Sequence, residues 1–324
     1  MYRLIAILLL LVFATSISAN ENNTIKKLLW EKQQSGTDLS LTSVVWDETQ
    51  FVAVGHEGLI MTSTDGVSWV KKISGINSML TAITYAKEFS PKLIVGGEGV
   101  VITSNDGVNW SVSIEEKNKP FLLNDLVWGN GKIIGVSMGK PNVMTSSDGI
   151  KWNDAKNPGG LMLAVTRGEH SYVGVGFMSA AFSSNDGVSW EKSTTGIPGV
   201  LTGITYANDK FIAVGPRGLI VTSSDGLTWN KSSSDTTMGF DQVIWNGKLA
   251  IAVGGQKPFS ISDMTALKKP TSEATVAYSL DGIRWEVETF DEKNAFTSIT
   301  WSQRLKRFVA VGHGGLIFTA NFKN

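Results

Sequence analysis

The chain has 324 residues, and its 29 basic and 29 acidic residues give it no formal net charge. The lack of a basic surplus argues against nucleic-acid binding, because affinity for nucleic acids comes largely from neutralising phosphates. The sequence contains no cysteine, so disulfides and a lipid-modified N-terminal cysteine are both excluded.

The first 19 residues have the order of a secretory signal peptide. A positive start at Arg3 is followed by an eleven-residue apolar run over residues 4–14 and by small residues up to Ala19. A membrane anchor is the alternative, but crossing a bilayer takes about 20 residues, so we predict removal after Ala19. Residues 20–27 are then a short lead. No later apolar run reaches membrane-span length, so we expect an exported, periplasmic or extracellular protein without a transmembrane span.

From residue 28 onward, one unit of about 40 residues repeats seven times. Six copies contain a segment with Ser, Asp, Gly and Trp in fixed places, first as Ser63 to Trp69, and a seventh Trp, Trp30, lies upstream. Each unit also has a β-rich run ending near a glycine, clearest at 51–55, and an earlier strand such as 41–46. Four short strands per unit at this period indicate a propeller. We therefore predict an all-β, seven-bladed β-propeller over residues 28–324.

The two ends of the repeat region predict how the ring closes. The last unit stops near Ala320, where its hairpin should begin, and the run from Leu28 starts where the outer strand of a hairpin should follow. We expect the N-terminal strand to complete the four-stranded seventh blade. Such pairing also covers two strand edges that would otherwise be open.

The Ser-x-Asp-Gly-x-x-Trp segment predicts a tight hairpin. Glycine accepts positive φ, and an aspartate side chain can accept the backbone N–H groups of its own turn. These residues resemble the Asp-box (BNR) repeat of sialidases, of other glycosidases and of propellers similar to photosystem II assembly factors. The resemblance implies that the box is architectural and lies away from any active site. The six aspartates expected to be structural are Asp65, Asp106, Asp148, Asp186, Asp225 and Asp281.

A sialidase is not predicted, because three arginines at matching positions of successive blades are not present. No Ser-His-Asp order, phosphate loop or HExxH motif stands out either. A seven-fold set of inward metal ligands is also missing. We expect no cofactor and no metal.

The loops between second and third strands should share one face of a propeller, opposite the Asp-containing hairpins. On that face the sequence places His56 and Glu57 in blade one, Glu98 in blade two, Arg217 in blade five and His313 in blade seven. Because blades seven, one and two become neighbours when the ring closes, the histidines and glutamates should form one arc. We predict ligand binding there, with solvated residues in tight glycine turns as the alternative.

The sixth unit carries an insertion. The interval from Trp229 to Trp285 is 56 residues, and the excess falls in 256–275. Loops longer than about 12 residues are usually functional or disordered, so this one is either a docking loop for a partner or a tolerated insertion. The residues suited to docking are Phe259, Met264, Leu267, Lys268 and Lys269.

These features favour a non-enzymatic propeller that binds a protein partner and acts as an assembly scaffold in the cell envelope. The alternatives are a carbohydrate-binding or glycoside-hydrolysing propeller and a structural or adhesion module of the surface. A glycosidase would need two carboxylates facing one cleft, for which Glu57 and Glu98 are the candidates.

Overall fold

The computed structural model describes residues 28–116, 121–156, 159–232, 234–258 and 271–323. The predicted signal peptide, the lead over 20–27 and the five docking residues of the insertion lie outside these ranges. Within them, the strands form seven antiparallel sheets of four strands, arranged as the blades of a β-propeller. The predicted fold class is therefore confirmed.

The innermost strand of each blade borders the central axis. Their side chains point alternately into the interfaces between blades and into the central channel. Each inner strand therefore contributes buried apolar residues to the interfaces. In blade order they are β2 (Leu41–Trp46), β6 (Leu80–Tyr85), β10 (Leu122–Gly129), β14 (Met162–Arg167), β18 (Gly203–Ala207), β22 (Phe240–Trp245) and β26 (Phe296–Ser302).

The second strand is the most buried strand of each blade, since both of its faces pack against neighbouring blades. This explains why these strands read as continuous apolar runs rather than as an alternation. They are β3 (Phe51–Gly55), β7 (Leu93–Gly97), β11 (Lys132–Met138), β15 (Tyr172–Gly176), β19 (Lys210–Gly215), β23 (Ala250–Gln256) and β27 (Arg307–Gly312).

The third and outer strands complete each blade. The third strands are β4 (Ile60–Ser63), β8 (Val100–Ser104), β12 (Val143–Ser146), β16 (Ala180–Ser184), β20 (Leu219–Ser223), β24 (Ser272–Ser279) and β28 (Ile317–Phe322). The outer strands are β5 (Val70–Lys72), β9 (Ser111–Glu115), β13 (Asn153–Asp154), β17 (Glu191–Thr194), β21 (Asn230–Ser232), β25 (Glu286–Thr289) and, for blade seven, β1 (Leu28–Gln33).

The ring closes through the two chain ends, as predicted. β1 pairs antiparallel with β28, with Leu28 opposite Phe322 and Gln33 opposite Ile317. Trp30 lies opposite Ala320, the position that Ser63 holds in blade one. The indole Nε1 of Trp30 donates to the hydroxyl of Tyr278 at 2.6 Å. An aromatic cluster around Trp30 therefore stabilises the blade that has no covalent hairpin.

The core is divided among the interfaces between blades. Each interface has its own buried apolar cluster, and the largest surrounds blade seven, where Phe296, Phe308 and Phe318 are buried. Ring centroids of Phe296 and Phe318 lie 5.4 Å apart in an edge-to-face arrangement. No described part of the chain forms a helix long and apolar enough to cross a membrane.

Candidate functional site

The propeller has two faces that differ in how their turns are made. We call the side with the Asp-containing turns between third and outer strands the hairpin face. We call the opposite side the turn face; it carries the turns between second and third strands and the connections from each outer strand to the next blade. The five predicted ligand-binding residues, His56, Glu57, Glu98, Arg217 and His313, all lie in turns of the turn face.

On the hairpin face, the side chains themselves hold the turn together. In blade four, Oδ1 of Asp186 accepts the backbone N–H groups of Val188 and Ser189, both at 2.8 Å. Ser184 Oγ accepts the N–H of Gly187 at 2.9 Å, and Nε1 of Trp190 donates to the carbonyl of Gly187 at 3.1 Å. The same set of bonds recurs around Asp65, Asp106, Asp148, Asp225 and Asp281.

These bonds keep the hairpin aspartates ionised. The backbone N–H donors are the main reason that the pKa values of Asp106, Asp148, Asp186 and Asp225 lie below the usual range. For Asp65 and Asp281 partial burial acts in the opposite direction, but the N–H donors still bring each pKa below its ordinary value.

Four hairpins are also fastened to the preceding blade, a contact that the sequence analysis did not anticipate. Each time, the residue just before an apolar second-strand run donates its side chain to the backbone carbonyl of the hairpin aspartate in the next blade. The pairs are Gln50 with Asp106 at 2.8 Å, Lys132 with Asp186 at 2.8 Å, Lys210 with Asp281 at 3.0 Å, and Arg307 with Asp65. This face therefore belongs to the packing of the blades.

On the turn face, backbone groups alone close the tightest turns. In blade one the N–H of Gly55 donates to Leu59 at 2.9 Å, and the N–H of Leu59 donates to His56 at 3.0 Å. The residue at the tip, Glu57, has a left-handed backbone with φ of 55°. The equivalent tips are Arg217 in blade five (φ 59°), Gly314 in blade seven (φ 62°) and Met178 in blade four (φ 56°). The tip side chain makes none of the turn's bonds, so its chemistry differs from blade to blade.

The four members of the predicted arc lie on consecutive blades, seven, one and two. His313 is half-buried, with Nδ1 3.4 Å from Oγ of Ser40 in the connection from blade seven to blade one. Burial, together with the charge of the nearby His56, lowers the pKa of His313. His313 is thus a neutral hydrogen-bonding group above mildly acidic pH. Ligand binding by this arc stays a prediction.

The two glutamates of the arc lie in turns of different blades, one and two. Glu57 and Glu98 are both exposed, and neither lines the cavities described below. Arg217 lies on blade five, away from the arc. In the described part of the chain, no three acidic or histidine side chains come together as a metal site would require.

Two grooves open on the turn face at equivalent places of the repeat. The larger, of about 710 Å³, lies at blade five and is lined by Pro198, Val200, Arg217, Leu219 and Lys231, among others. The smaller, of about 330 Å³, lies at blade seven between Lys32, Asp38 and Gly315. In both, the turn between second and third strands forms one wall and the segment after the outer strand forms the other.

The inner strands leave a narrow channel with a cavity of about 90 Å³. Thr42 Oγ1 donates to the carbonyl of Leu80 in the next blade at 2.7 Å. Three further threonines at this position, Thr81, Thr202 and Thr297, do the same to the blades that follow them. Asp241 holds this position in blade six, where a donor would be needed.

Two carboxyl groups, those of Asp125 and Asp241, line the channel cavity. Oδ2 of Asp241 is buried and has no hydrogen-bond partner among the described residues, and burial raises its pKa to about 7. Asp125 accepts the N–H groups of Leu126 at 2.8 Å and Val165 at 2.9 Å, yet burial still raises its pKa to about 7. The sequence analysis missed both residues, which an alignment of the seven inner strands could have singled out.

The sequence analysis also missed the apolar residues of the turn face. Phe177 and Met178 are exposed in a turn of blade four, and Met138 is exposed at the end of β11 in blade three. The signal was weak because Ser179 replaces the glycine that follows the tip in blades one, five and seven. Aligning these turns on their tips would have placed Met178 beside Glu57 and Arg217.

No protein-family model and no curated protein matches the sequence. Solved propellers do match. One is "YCF48 bound to D1 peptide", with a TM-score of 0.69 and 17% identity over 91% of this chain and 97% of that one. Another is YCF48 from Cyanidioschyzon merolae, with a TM-score of 0.65 and 15% identity over 90% of this chain and 98% of that one.

A third match is an enzyme. A catalytically inactive histidine-to-alanine variant of virginiamycin B lyase from Staphylococcus aureus, with quinupristin, gives a TM-score of 0.73 and 10% identity over 92% of this chain and 100% of that one. Identities this low establish a shared fold and no more. The predicted similarity to assembly-factor propellers is thus met at the level of fold, and membership of the Asp-box repeat family stays a prediction.

Proposed function

We propose that this chain is an exported, non-enzymatic propeller of the cell envelope that binds a protein partner through its turn face. The observation that carries the proposal is the exposure of large apolar side chains beside the groove of about 710 Å³ on that face. Exposed apolar surface next to polar groups is typical of protein-binding sites.

The two faces use their side chains differently, and the difference supports this proposal. On the hairpin face, polar side chains form hydrogen bonds within their own turns and to neighbouring blades. The turn face leaves Glu57, Met178 and Arg217 in solvent at backbone-closed tips. Side chains that the fold does not use are available to a partner.

The structural match to YCF48 bound to a D1 peptide supports the same class of function, since that propeller binds a peptide. The alternative as a glycosidase depends on Glu57 and Glu98. Both are exposed at separate turn tips rather than paired across a cleft, so the geometry favours a protein partner.

Site-specific photo-crosslinking tests the proposal. A photoreactive amino acid replaces Met178 on the turn face or, as the matched control, the half-exposed Ile150 on the hairpin face. We expect the Met178 position to crosslink one dominant partner from the cell envelope of the source organism, identified by mass spectrometry, while the Ile150 position does not. Equal crosslinking from both positions, or none from either, would overturn the proposal.

Export has its own test, because the signal peptide lies outside the described residues. The full chain is expressed with a C-terminal tag, and the protein recovered from the envelope fraction is sequenced from its N-terminus. We expect the mature chain to begin at Asn20. Recovery of the uncleaved chain only from the cytoplasm would contradict export without touching the binding proposal.

A further inference from the structure

Among the described residues, the large apolar side chains with the highest exposed fractions are Met178 (89%) and Ile73 (88%). Phe177, the neighbour of Met178, is 37% exposed, and Met138 in the adjacent blade is 38% exposed. Phe177 and Met178 lie in the turn between second and third strands of blade four, and Met138 is the last residue of β11, next to the equivalent turn of blade three. Methionine is flexible and polarisable, and it is over-represented on surfaces that bind peptides.

The backbone conformation of the turn at Met178 gives a second reason to expect that this side chain has a role beyond folding. Met178 and Ser179 both have left-handed conformations, with φ of 56° and 60°. Glycine adopts this conformation freely, whereas other residues are destabilised in it, and blade seven has Gly314 and Gly315 at the two equivalent places. A strained, solvent-exposed methionine points to a use outside the fold.

Charge on the turn face is divided between two halves. In the described turns and connections of blades seven, one and two, the exposed charges are the carboxylates of Asp38, Glu57 and Glu98, together with Glu116 at the start of the connection to blade three. Blades three to five instead expose Lys140 and Arg217 there.

The other charges of this face, among the described residues, are few. Asp235 lines the same groove as Arg217, and Lys257 is ion-paired with Glu273. In the connection from blade six to blade seven, Asp291 and Lys293 offset each other, and Glu292 is paired with Lys32. The positive half of the face thus carries the exposed Met138, Phe177 and Met178, whereas the acidic half exposes Ile73 in the connection from blade one to blade two.

We propose that an apolar–cationic arc, formed by Met138, Lys140, Phe177, Met178 and Arg217, docks a peptide segment in which large apolar side chains alternate with carboxylates. The inference rests on the proposed protein-binding function and names its surface and partner chemistry. Carboxylates of the segment pair with Lys140 and Arg217, and its apolar side chains cover the methionines and Phe177.

The arc leads directly into the larger groove. The N–H of Ser179 donates to the carbonyl of Gly199 at 2.9 Å, and Gly199 lines the groove together with Arg217. The turn that carries Phe177 and Met178 is thus joined to the connection from blade four to blade five, which lines the groove between its two walls. A segment lying over Met178 is therefore next to the groove that Arg217 lines together with Asp235.

Fluorescence anisotropy with defined probes tests the arc. The probes are short labelled peptides of equal length in which leucine and phenylalanine alternate with glutamate, with lysine, or with serine. We expect the glutamate peptide to bind at least tenfold more tightly than the other two. Because pairing of exposed charges is screened by salt, its affinity should fall between low and high ionic strength.

Variants assign the binding to the arc. Met178→Ser and Arg217→Ala should each weaken the glutamate peptide about tenfold or more, while Ile150→Ser on the hairpin face and Glu57→Ala on the acidic half should leave it within twofold. The double variant Lys140→Glu with Arg217→Glu should prefer the lysine peptide over the glutamate peptide. This reversal is not expected from a variant that merely unfolds.

Three outcomes overturn the inference. Equal affinity for the three peptides refutes the partner chemistry, and unchanged affinity in Met178→Ser and Arg217→Ala refutes the surface. A concentration-dependent dimer that Arg217→Glu dissociates, seen by sedimentation velocity, would instead assign the arc to a second copy of this chain. If the peptides fail while Met178 still crosslinks one envelope partner, the proposed function stands and only the chemistry of the partner is wrong.

Discussion

The hairpin face and the turn face reverse the chain by different means, and the difference explains why one is uniform and the other varied. On the hairpin face the turn is held by Asp and Ser side chains, so a change of residue removes the turn's own hydrogen bonds. On the turn face the backbone closes the turn, so Glu57, Met178 and Arg217 occupy the same left-handed tip. The residues that repeat from blade to blade are therefore those that hold the fold together. The residues that vary are those at turn tips, which are free to bind a partner.

The central channel differs from both faces. In four blades, a residue near the start of the inner strand donates a hydrogen bond to the next blade, but the residue type at this position changes in others. Four blades place a threonine donor there, and blade six places Asp241. A buried carboxyl group can donate a hydrogen bond only when it is protonated. This position should therefore respond to pH in the direction opposite to the hairpin aspartates.

The largest effect is expected from Asp241→Thr. The pKa of Asp241 is raised by burial to about 7, so the unfolded chain ionises this group at lower pH than the folded one does. Stability is thus lost as pH rises from about 4 to about 7. At about 1.4 kcal/mol for each unit of pKa difference, the threonine variant should be more stable than the parent by on the order of 4 kcal/mol at pH 8.

Urea denaturation at pH 5 and pH 8 measures this gain, which should shrink at the lower pH. The matched control is Leu163→Thr, which adds a hydroxyl at the same position of blade four without removing a charge. A gain in Asp241→Thr that is equal at both pH values would mean that protonation of the carboxyl plays no part.

A smaller effect of opposite sign is expected from Asp225→Ala on the hairpin face. The variant leaves the N–H groups of Leu227 and Thr228 without their acceptor and removes a bond to Ser223. Losing such a charge-assisted set costs about 1–3 kcal/mol. Because the pKa of Asp225 is lowered, its contribution is complete above pH 4 and disappears as pH falls below that.

Thermal or urea unfolding at neutral pH compares this variant with Asp38→Ala, which removes an exposed carboxylate from the turn face. We expect Asp38→Ala to change the free energy of unfolding by less than about 0.5 kcal/mol. Similar losses in the two variants would show that the faces do not differ in the way described here.

The smallest effect is expected at the turn tips, and it should be a gain. Met178→Gly and Arg217→Gly relieve left-handed strain, which outweighs the extra chain entropy of glycine by about 0.5 kcal/mol. The reciprocal change Gly314→Ala in blade seven should be destabilising. If the glycine variants are instead destabilised, Met178 and Arg217 contribute to folding and the distinction between the faces weakens.

The sequence predicted the fold almost completely, because a propeller repeats one local pattern. The Asp-Gly turns, the apolar second strands and the incomplete last unit together indicated seven blades and a ring closed by the strand from Leu28. The clamps from Gln50 and Lys132 to the next hairpin could not be predicted, since they join residues more than one blade interval apart through long flexible side chains.

The functional side was predicted less well. The glycine-rich turns around His56 and His313 were visible, whereas the turn with Met178 lacks the marker glycine. Asp125 and Asp241 looked like ordinary polar residues of a strand. Their unusual pKa values arise from burial around a central channel, which depends on all seven blades at once.

The pairing of β1 with β28 has a consequence for how the molecule is made. The first strand of the propeller finds its partner only in the last one, so the ring cannot close before β28 has been synthesised. Until then the growing protein carries two exposed strand edges, which are templates for unwanted association. We therefore expect a chain that lacks β28 to be an open horseshoe instead of a slightly smaller ring.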